Sequence, residues 1–126
     1  MEPRVVVIDD HFDTLQVMSE FLSLKSINVL AMGSNGKEAV ELYKKHMPDV
    51  ILMDATMFQF DGLYGLENIL KIDPNAKIII VTGLDNNLSD KFTEMGAYAV
   101  IQKPFDIDRM IEIIHSACCS LPNYLI

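Results

Sequence analysis

Five short apolar runs constrain what this chain can fold into more than any other feature. They are Val5-Val-Val-Ile8, Ile27-Asn-Val-Leu-Ala-Met32, Val50-Ile-Leu-Met53, Ile78-Ile-Ile-Val81 and Ala99-Val-Ile101. Most are continuous rather than alternating and rich in β-branched residues, the pattern of strands buried on both faces of a parallel sheet. Parallel neighbours need long crossovers, and between the runs the period becomes helical. Ala39, Leu42, Tyr43 and Met47 follow i, i+3, i+4, i+8 spacing. Met110, Ile113, Ile114 and Ala117 repeat it, and Leu66, Ile69 and Leu70 do so more briefly. Asn35 with Glu38 three residues later marks a helix start, as does Asp106. Pro48 and Pro74 stop helices. The segment from Asn86 to Gly96 is the weakest helix, its inner face marked only by Leu88, Phe92 and Met95.

The predicted fold is α/β: a flavodoxin-like (βα)5 arrangement in which right-handed crossovers place helices on both faces of a doubly wound, five-stranded parallel sheet. At 126 residues the chain has the size of one domain, with a core from about residue 4 to 120. The tail Leu121 to Ile126 is too short for another element. Eighteen acidic residues against ten Lys and Arg give a net charge of −8, which argues against direct binding of nucleic acid. The neighbours Cys118 and Cys119 offer neither a disulfide framework nor paired metal-ligand spacing. No signal peptide opens the sequence and no apolar run approaches the roughly 18 residues of a membrane span. A cytoplasmic setting is expected.

In an open parallel sheet, ligands sit outside the carboxyl ends of the strands, near the switch in strand order. The polar residues at those ends are Asp9 and Asp10, Asp54, Thr82, and Lys103 before Pro104. The second run ends in Met32-Gly33-Ser34, with nothing ionisable, as expected of an edge strand in the order 2-1-3-4-5. Singly, each has a plain structural reading. Asp9 or Asp10 would cap a helix, Thr82 would end a strand, and Lys103 would be a solvated turn. Their joint placement on one rim points to a site instead. Three carboxylates so close repel unless a cation compensates, and oxygen ligands suit Mg²⁺ or Mn²⁺. With a lysine and a hydroxyl added, the rim suits a phosphoryl group, and Asp54, central in strand order, is the candidate nucleophile.

These residues resemble the receiver domain of two-component response regulators over about Arg4 to Ser120. Val5-Val-Val-Ile-Asp-Asp10 looks like the family's first strand and acidic pair, and Asp49-Val-Ile-Leu-Met-Asp54 like its phosphoacceptor strand. Asp61-Gly62, Ile80-Val-Thr-Gly83, Gly96-Ala97 and Gln102-Lys-Pro-Phe-Asp106 follow at the family's spacings. The resemblance implies that Asp54 takes a phosphoryl group from the phosphohistidine of a sensor histidine kinase or a phosphotransfer protein. It implies that Asp9, Asp10, Asp54 and the backbone carbonyl of Thr56 hold Mg²⁺, that Lys103 pairs with the phosphoryl oxygens, and that Thr82 switches. The Lys103–Pro104 bond is expected to be cis, aiming the lysine inward. The receiver would promote its own phosphorylation and dephosphorylation without turning over an outside substrate. Output is expected through an unknown downstream protein, unless the chain is a fragment of a longer regulator, from a monomer or weak dimer.

Two departures from the family stand out. Phe58 replaces the usual proline four residues after the acceptor, which should free the loop; partner contact and loop packing are both open to it, while Phe60 is expected to pack inward. Val100 stands where an aromatic usually accompanies the threonine movement, with Tyr98 expected two residues earlier on the same strand face. His11, just after the acidic pair, is expected at the mouth of the site as a rim residue rather than as a metal ligand. An FMN carrier of this architecture would need a phosphate cradle where Asp9-Asp-His-Phe-Asp13 stands. A haloacid-dehalogenase-type phosphatase would need a second aspartate where Thr56 stands. A phosphorylation-independent receiver acting purely as a binding module is the runner-up.

Overall fold

Alternate side chains of each apolar run enter opposite faces of one sheet, so that continuous hydrophobicity becomes two cores. The structure is a computed structural model that describes residues 2–83 and 86–118. Its elements are β1 (Arg4–Ile8), α1 (Phe12–Leu24), β2 (Asn28–Gly33), α2 (Gly36–His46), β3 (Val50–Asp54), α3 (Gly62–Ile72), β4 (Ile78–Thr82), α4 (Asn86–Glu94), β5 (Ala99–Gln102) and α5 (Ile107–Cys118). All strand pairs are parallel, in the order β2-β1-β3-β4-β5. The expected architecture and strand order are both present. Cys119, the side chain of Leu88 and the tail Leu121 to Ile126 lie outside the described residues.

Val5, Val7, Leu52, Ile79 and Val81 meet α1 and α5 through Leu15, Leu22, Met110 and Ile114. Val6, Ile8, Ile51, Met53 and Ile80 meet α2, α3 and α4 through Ala39, Tyr43, Leu66, Ile69 and Phe92. The edge strand β2 is only half-buried, and Leu30 forms an irregularity opposite the Val5–Val6 step of β1.

Caps set the helix ends. The side chain of Asn35 accepts the Glu38 amide at 2.9 Å, while Glu38 reaches back to the Ser34 amide at 2.6 Å. The Asp106 side chain accepts the Asp108 amide at 3.0 Å at the start of α5. Met47 departs from the predicted pattern. It is the C-cap of α2, left-handed at φ 43° and 50% exposed, because Pro48 follows and the helix closes at His46. Tyr98 also departs. It precedes β5, and its hydroxyl lies 2.5 Å from Ser116 Oγ on α5, whereas Val100 packs in the core under α2–α4. Lying outside the strand's alternation, Tyr98 does not share the face of Val100.

Tyr43 is buried with its hydroxyl donating to Asp73 Oδ2 at 2.7 Å, which ties α2 to the C-cap of α3. Burial, reinforced by Asp73, pushes its phenol well above the usual range. Tyr43→Phe should therefore lower stability by about 1–3 kcal/mol in urea unfolding without changing the fold. A neutral result would show that the bond adds nothing to the packing of the ring.

Candidate functional site

Strand register assembles the rim. Ile8 pairs with Met53, so Asp9 and Asp54 follow side by side at the ends of β1 and β3. Asp54 pairs with Val81, which places Thr82 one residue beyond it on β4. Thr82 pairs with Gln102, and the Lys103 amide donates to the Thr82 carbonyl at 2.8 Å. Asp9 and Asp54 are each 6% exposed and Thr82 is fully buried. Lys103 Nζ reaches within 3.6 Å of Asp54 Oδ2, and the Lys103–Pro104 bond is cis. A cavity of about 30 Å³ beneath the rim is lined by Asp9, Asp54 and Lys103 against Leu15, Met18 and Phe105.

Neither member of the acidic pair caps α1. Its N-cap is His11, whose side chain makes no capping bond. Asp9 Oδ1 instead accepts the His11 amide at 2.9 Å, and Asp10 Oδ2 accepts the Phe58 amide across the site at 3.2 Å. The Thr56 amide approaches Asp54 Oδ1 at 3.4 Å. The pair is thus turned into the rim rather than along the helix.

Burial raises the pKa of Asp54, and the charge of Asp9 raises it further. Lys103 and the Thr56 amide oppose this. Asp9, Asp10, His11 and Asp54 each offer one ligand atom within 4.8 Å of the others. Three hard carboxylates on a half-open rim fit a divalent cation that keeps some of its waters.

Gly62 lets α3 start against this floor. A Cβ there would meet the Asp54 carbonyl oxygen at 2.7 Å and the Ala55 Cα at 2.9 Å. Asp61 caps α3 by accepting the Tyr64 amide at 3.0 Å. Between them and Asp54, the loop holds Gln59 in the left-handed region at φ 69°. Phe60 is half-buried against the Tyr64 ring at 4.8 Å, while Phe58 is 76% exposed. Phe58 does not pack into the loop, and its amide supplies a bond to Asp10 that proline lacks. The loop is tethered at the residue whose substitution was expected to loosen it.

Two features go beyond what the sequence suggests. His11 Nδ1 lies 3.2 Å from Asp9 Oδ1 and 3.0 Å from Asp10 Oδ1, closer to the carboxylates than a mere rim residue needs to be. The other is the outer side of α1, where Phe12, Val17, Phe21 and Leu24 are 67%, 53%, 47% and 80% exposed. The available signal was a surplus: α1 carries more large apolar residues than its inward positions Leu15, Met18 and Leu22 can use.

The sequence model of the response regulator receiver domain matches residues 5–115. The chemotaxis protein CheY of Thermotoga maritima is 34% identical over 116 residues, covering 91% of this chain and 97% of the relative. CheY of Bacillus subtilis matches with the same identity and coverage. Among solved structures, the CheX–CheY–BeF3–Mg²⁺ complex from Borrelia burgdorferi superposes with a TM-score of 0.84 at 29% identity, over 90% of this chain and 87% of that one. The response regulator domain of Thermotoga maritima CheB superposes with a TM-score of 0.86 at 27% identity, over 97% and 100%.

The raised pKa of Asp54 has a definite sign in stability. A carboxyl whose pKa is higher folded than unfolded penalises the native state above the folded value, and the penalty fades as pH falls through that value towards the ordinary one. In metal-free buffer at neutral pH, Asp54→Asn should therefore raise the melting temperature by about 2–6 °C. The gain should shrink as the pH is lowered into the carboxylate range. Thermal melts at several pH values in EDTA check this, and a variant that melts lower than the parent at every pH contradicts it.

Proposed function

The chain belongs to the response regulator receiver family, and from that membership we propose that it accepts a phosphoryl group on Asp54 from the phosphohistidine of a sensor histidine kinase or a histidine phosphotransfer protein. The observation that carries this reading is the buried Asp54 carboxylate held 3.6 Å from the Lys103 ammonium, within ligand distance of Asp9 and Asp10. That donor set fits Mg²⁺ or Mn²⁺, held by Asp9, Asp10, Asp54 and the Thr56 carbonyl. When bound, the cation neutralises charge on the phosphoryl oxygens.

The chemistry asked of the protein's own groups is limited. A carboxylate oxygen of Asp54 forms the O–P bond as the P–N bond of the donor breaks, and the electron pair leaves with the imidazole, which takes up a proton. Lys103 stands on the Oδ2 side, where it meets negative charge on the equatorial oxygens. Water later hydrolyses the acyl phosphate, so the protein resets itself without processing an outside substrate.

Output follows from the neighbouring strand. Thr82 turns its hydroxyl towards the phosphoryl group, and the surface of α4, β5 and α5 responds. With Val100 in the core under α2–α4 and Tyr98 tied to Ser116, no aromatic on β5 swings with it. The change is carried by backbone and helix movement, to be read by a downstream protein. The acidic balance and the lack, among the described residues, of any helix long and apolar enough to cross a membrane fit a cytoplasmic receiver working through proteins, as a monomer or weak dimer.

The donor has an apolar landing beside the site. A groove of about 420 Å³ lies between α1 and the start of α5, lined by Val17, Met18, Phe21, Phe105 and Ile107. Phe58 stands exposed on the loop that also carries Thr56, and the donor's histidine domain would rest on both.

Incubation with Mg²⁺ and a small acyl phosphate should add one phosphoryl group, about 80 Da by intact mass, and Asp54→Ala should abolish it. If the adduct persists in that variant or never forms in the parent, the phosphoacceptor assignment fails and the phosphorylation-independent module takes its place. Phe58→Ala keeps the amide and should slow transfer from the cognate donor about tenfold, or ~1.4 kcal/mol, while sparing the small acyl phosphate. Phe58→Pro also removes the bond to Asp10 and should weaken both reactions. Equal slowing of both reactions by the alanine variant would remove the partner-contact role.

A further inference from the structure

The geometry points to His11 as a nitrogen ligand of the cation site, one that turns the selectivity of the site towards borderline first-row divalent ions and away from Mg²⁺. This rests on the metal-site reading above and adds a residue and a cation class to it.

Three observations carry it. His11 Nδ1 stands 3.0 Å from Asp10 Oδ1 and 3.2 Å from Asp9 Oδ1, and it joins Asp54 in the group whose ligand atoms all lie within 4.8 Å. Adjacent ligands of an octahedral ion with bonds of about 2.1 Å stand about 3.0 Å apart. The ring nitrogen, within hydrogen-bonding reach of the Asp9 oxygen and ion-pair reach of the Asp10 oxygen, also stands from each as a neighbouring ligand would. Second, the backbone fixes the ring's starting point. The His11 amide is held by Asp9 Oδ1 at 2.9 Å, and Asp10 is held from its other oxygen by the Phe58 amide at 3.2 Å. Third, the ring reaches the carboxylates from the solvent side, where its Nδ1 is within hydrogen-bonding distance of Asp9 Oδ1. It is 71% exposed at the N-cap of α1 and makes no capping bond there.

The chemistry of the donor then sets the preference. Mg²⁺ prefers hard oxygen ligands and keeps its waters, so an imidazole in place of one water gains it little. Mn²⁺, Co²⁺ and Ni²⁺ accept imidazole, with affinity rising along that series for a mixed nitrogen and oxygen site. A receiver with oxygen ligands alone would discriminate less between Mg²⁺ and Ni²⁺ than this one.

The test compares Ni²⁺ and Mg²⁺ binding by isothermal titration calorimetry on the untagged protein, its His11→Ala and His11→Asn variants, and Asp54→Ala. The ratio of Ni²⁺ to Mg²⁺ affinity should fall at least tenfold in both His11 variants, with Mg²⁺ affinity changing less than threefold. The asparagine variant keeps a hard oxygen near the position of Nδ1, so it should retain Mg²⁺ and still lose the preference. Asp54→Ala should weaken both ions, which assigns the binding to this site rather than to His46 or His115. A ratio unchanged within threefold in both His11 variants overturns the inference and leaves the metal site intact. A parent protein that binds neither ion overturns the metal-site reading itself.

Discussion

Mutual repulsion between buried carboxylates is the constraint on which the rest of this structure turns. Asp9 and Asp54 end neighbouring strands, each is 6% exposed, and Asp10 adds a third charge beside them. Such a group survives folding because several donors reach it: Lys103 from the end of β5, and the backbone amides of His11, Thr56 and Phe58 from two loops. These donors offset the cost only in part, since burial first and the charge of Asp9 second leave the pKa of Asp54 raised. The residual cost sits at the place where a cation would relieve it. Stability is given up at the rim, while two fully apolar cores on either side of the sheet hold the fold.

The same economy explains the loop after β3. Gly62 allows the start of α3 to close on the backbone of Asp54 and Ala55, and Gln59 takes a left-handed conformation within the same turn. Phe58 occupies the exposed crest. Having phenylalanine rather than the family's usual proline here exchanges a fixed φ for an amide that reaches Asp10, so the loop gains a tether on Asp10 and presents an exposed aromatic ring. Together with the apolar outer side of α1, that ring would give the proposed phosphoryl donor a surface adjoining Asp54.

Much of this was legible in the sequence because its signals are local. Continuous β-branched runs specify strands buried on both faces, and the strand ends carry Asp9, Asp54 and Thr82 wherever those strands are placed. The helix starts at Asn35 and Asp106 followed from side chains that satisfy nearby amides. Met47 was misplaced because the helical period runs through it, although Pro48 stops the helix one residue earlier. Tyr98 was assigned to the wrong face because alternation holds only within a strand, and β5 starts at Ala99. The outer side of α1 was illegible in a different way. Periodicity tells which residues can face inward, but a helix with apolar residues on several sides does not say which of them find a core.

The sequence by itself determined the fold class and the identity of the charged rim, because hydrophobic period and strand-end chemistry are properties of short segments. Tertiary structure decided what those charges do to one another. Only the register of β1, β3, β4 and β5 sets Lys103 3.6 Å from Asp54. Only the crossing of two loops brings the Phe58 amide to Asp10, and only the turn out of β1 folds His11 back between both members of the acidic pair. Those contacts join residues up to 49 positions apart, as between Asp54 and Lys103. Their energies depend on separations of a few ångströms in a partly dry site, a distance scale that no pattern along the chain encodes.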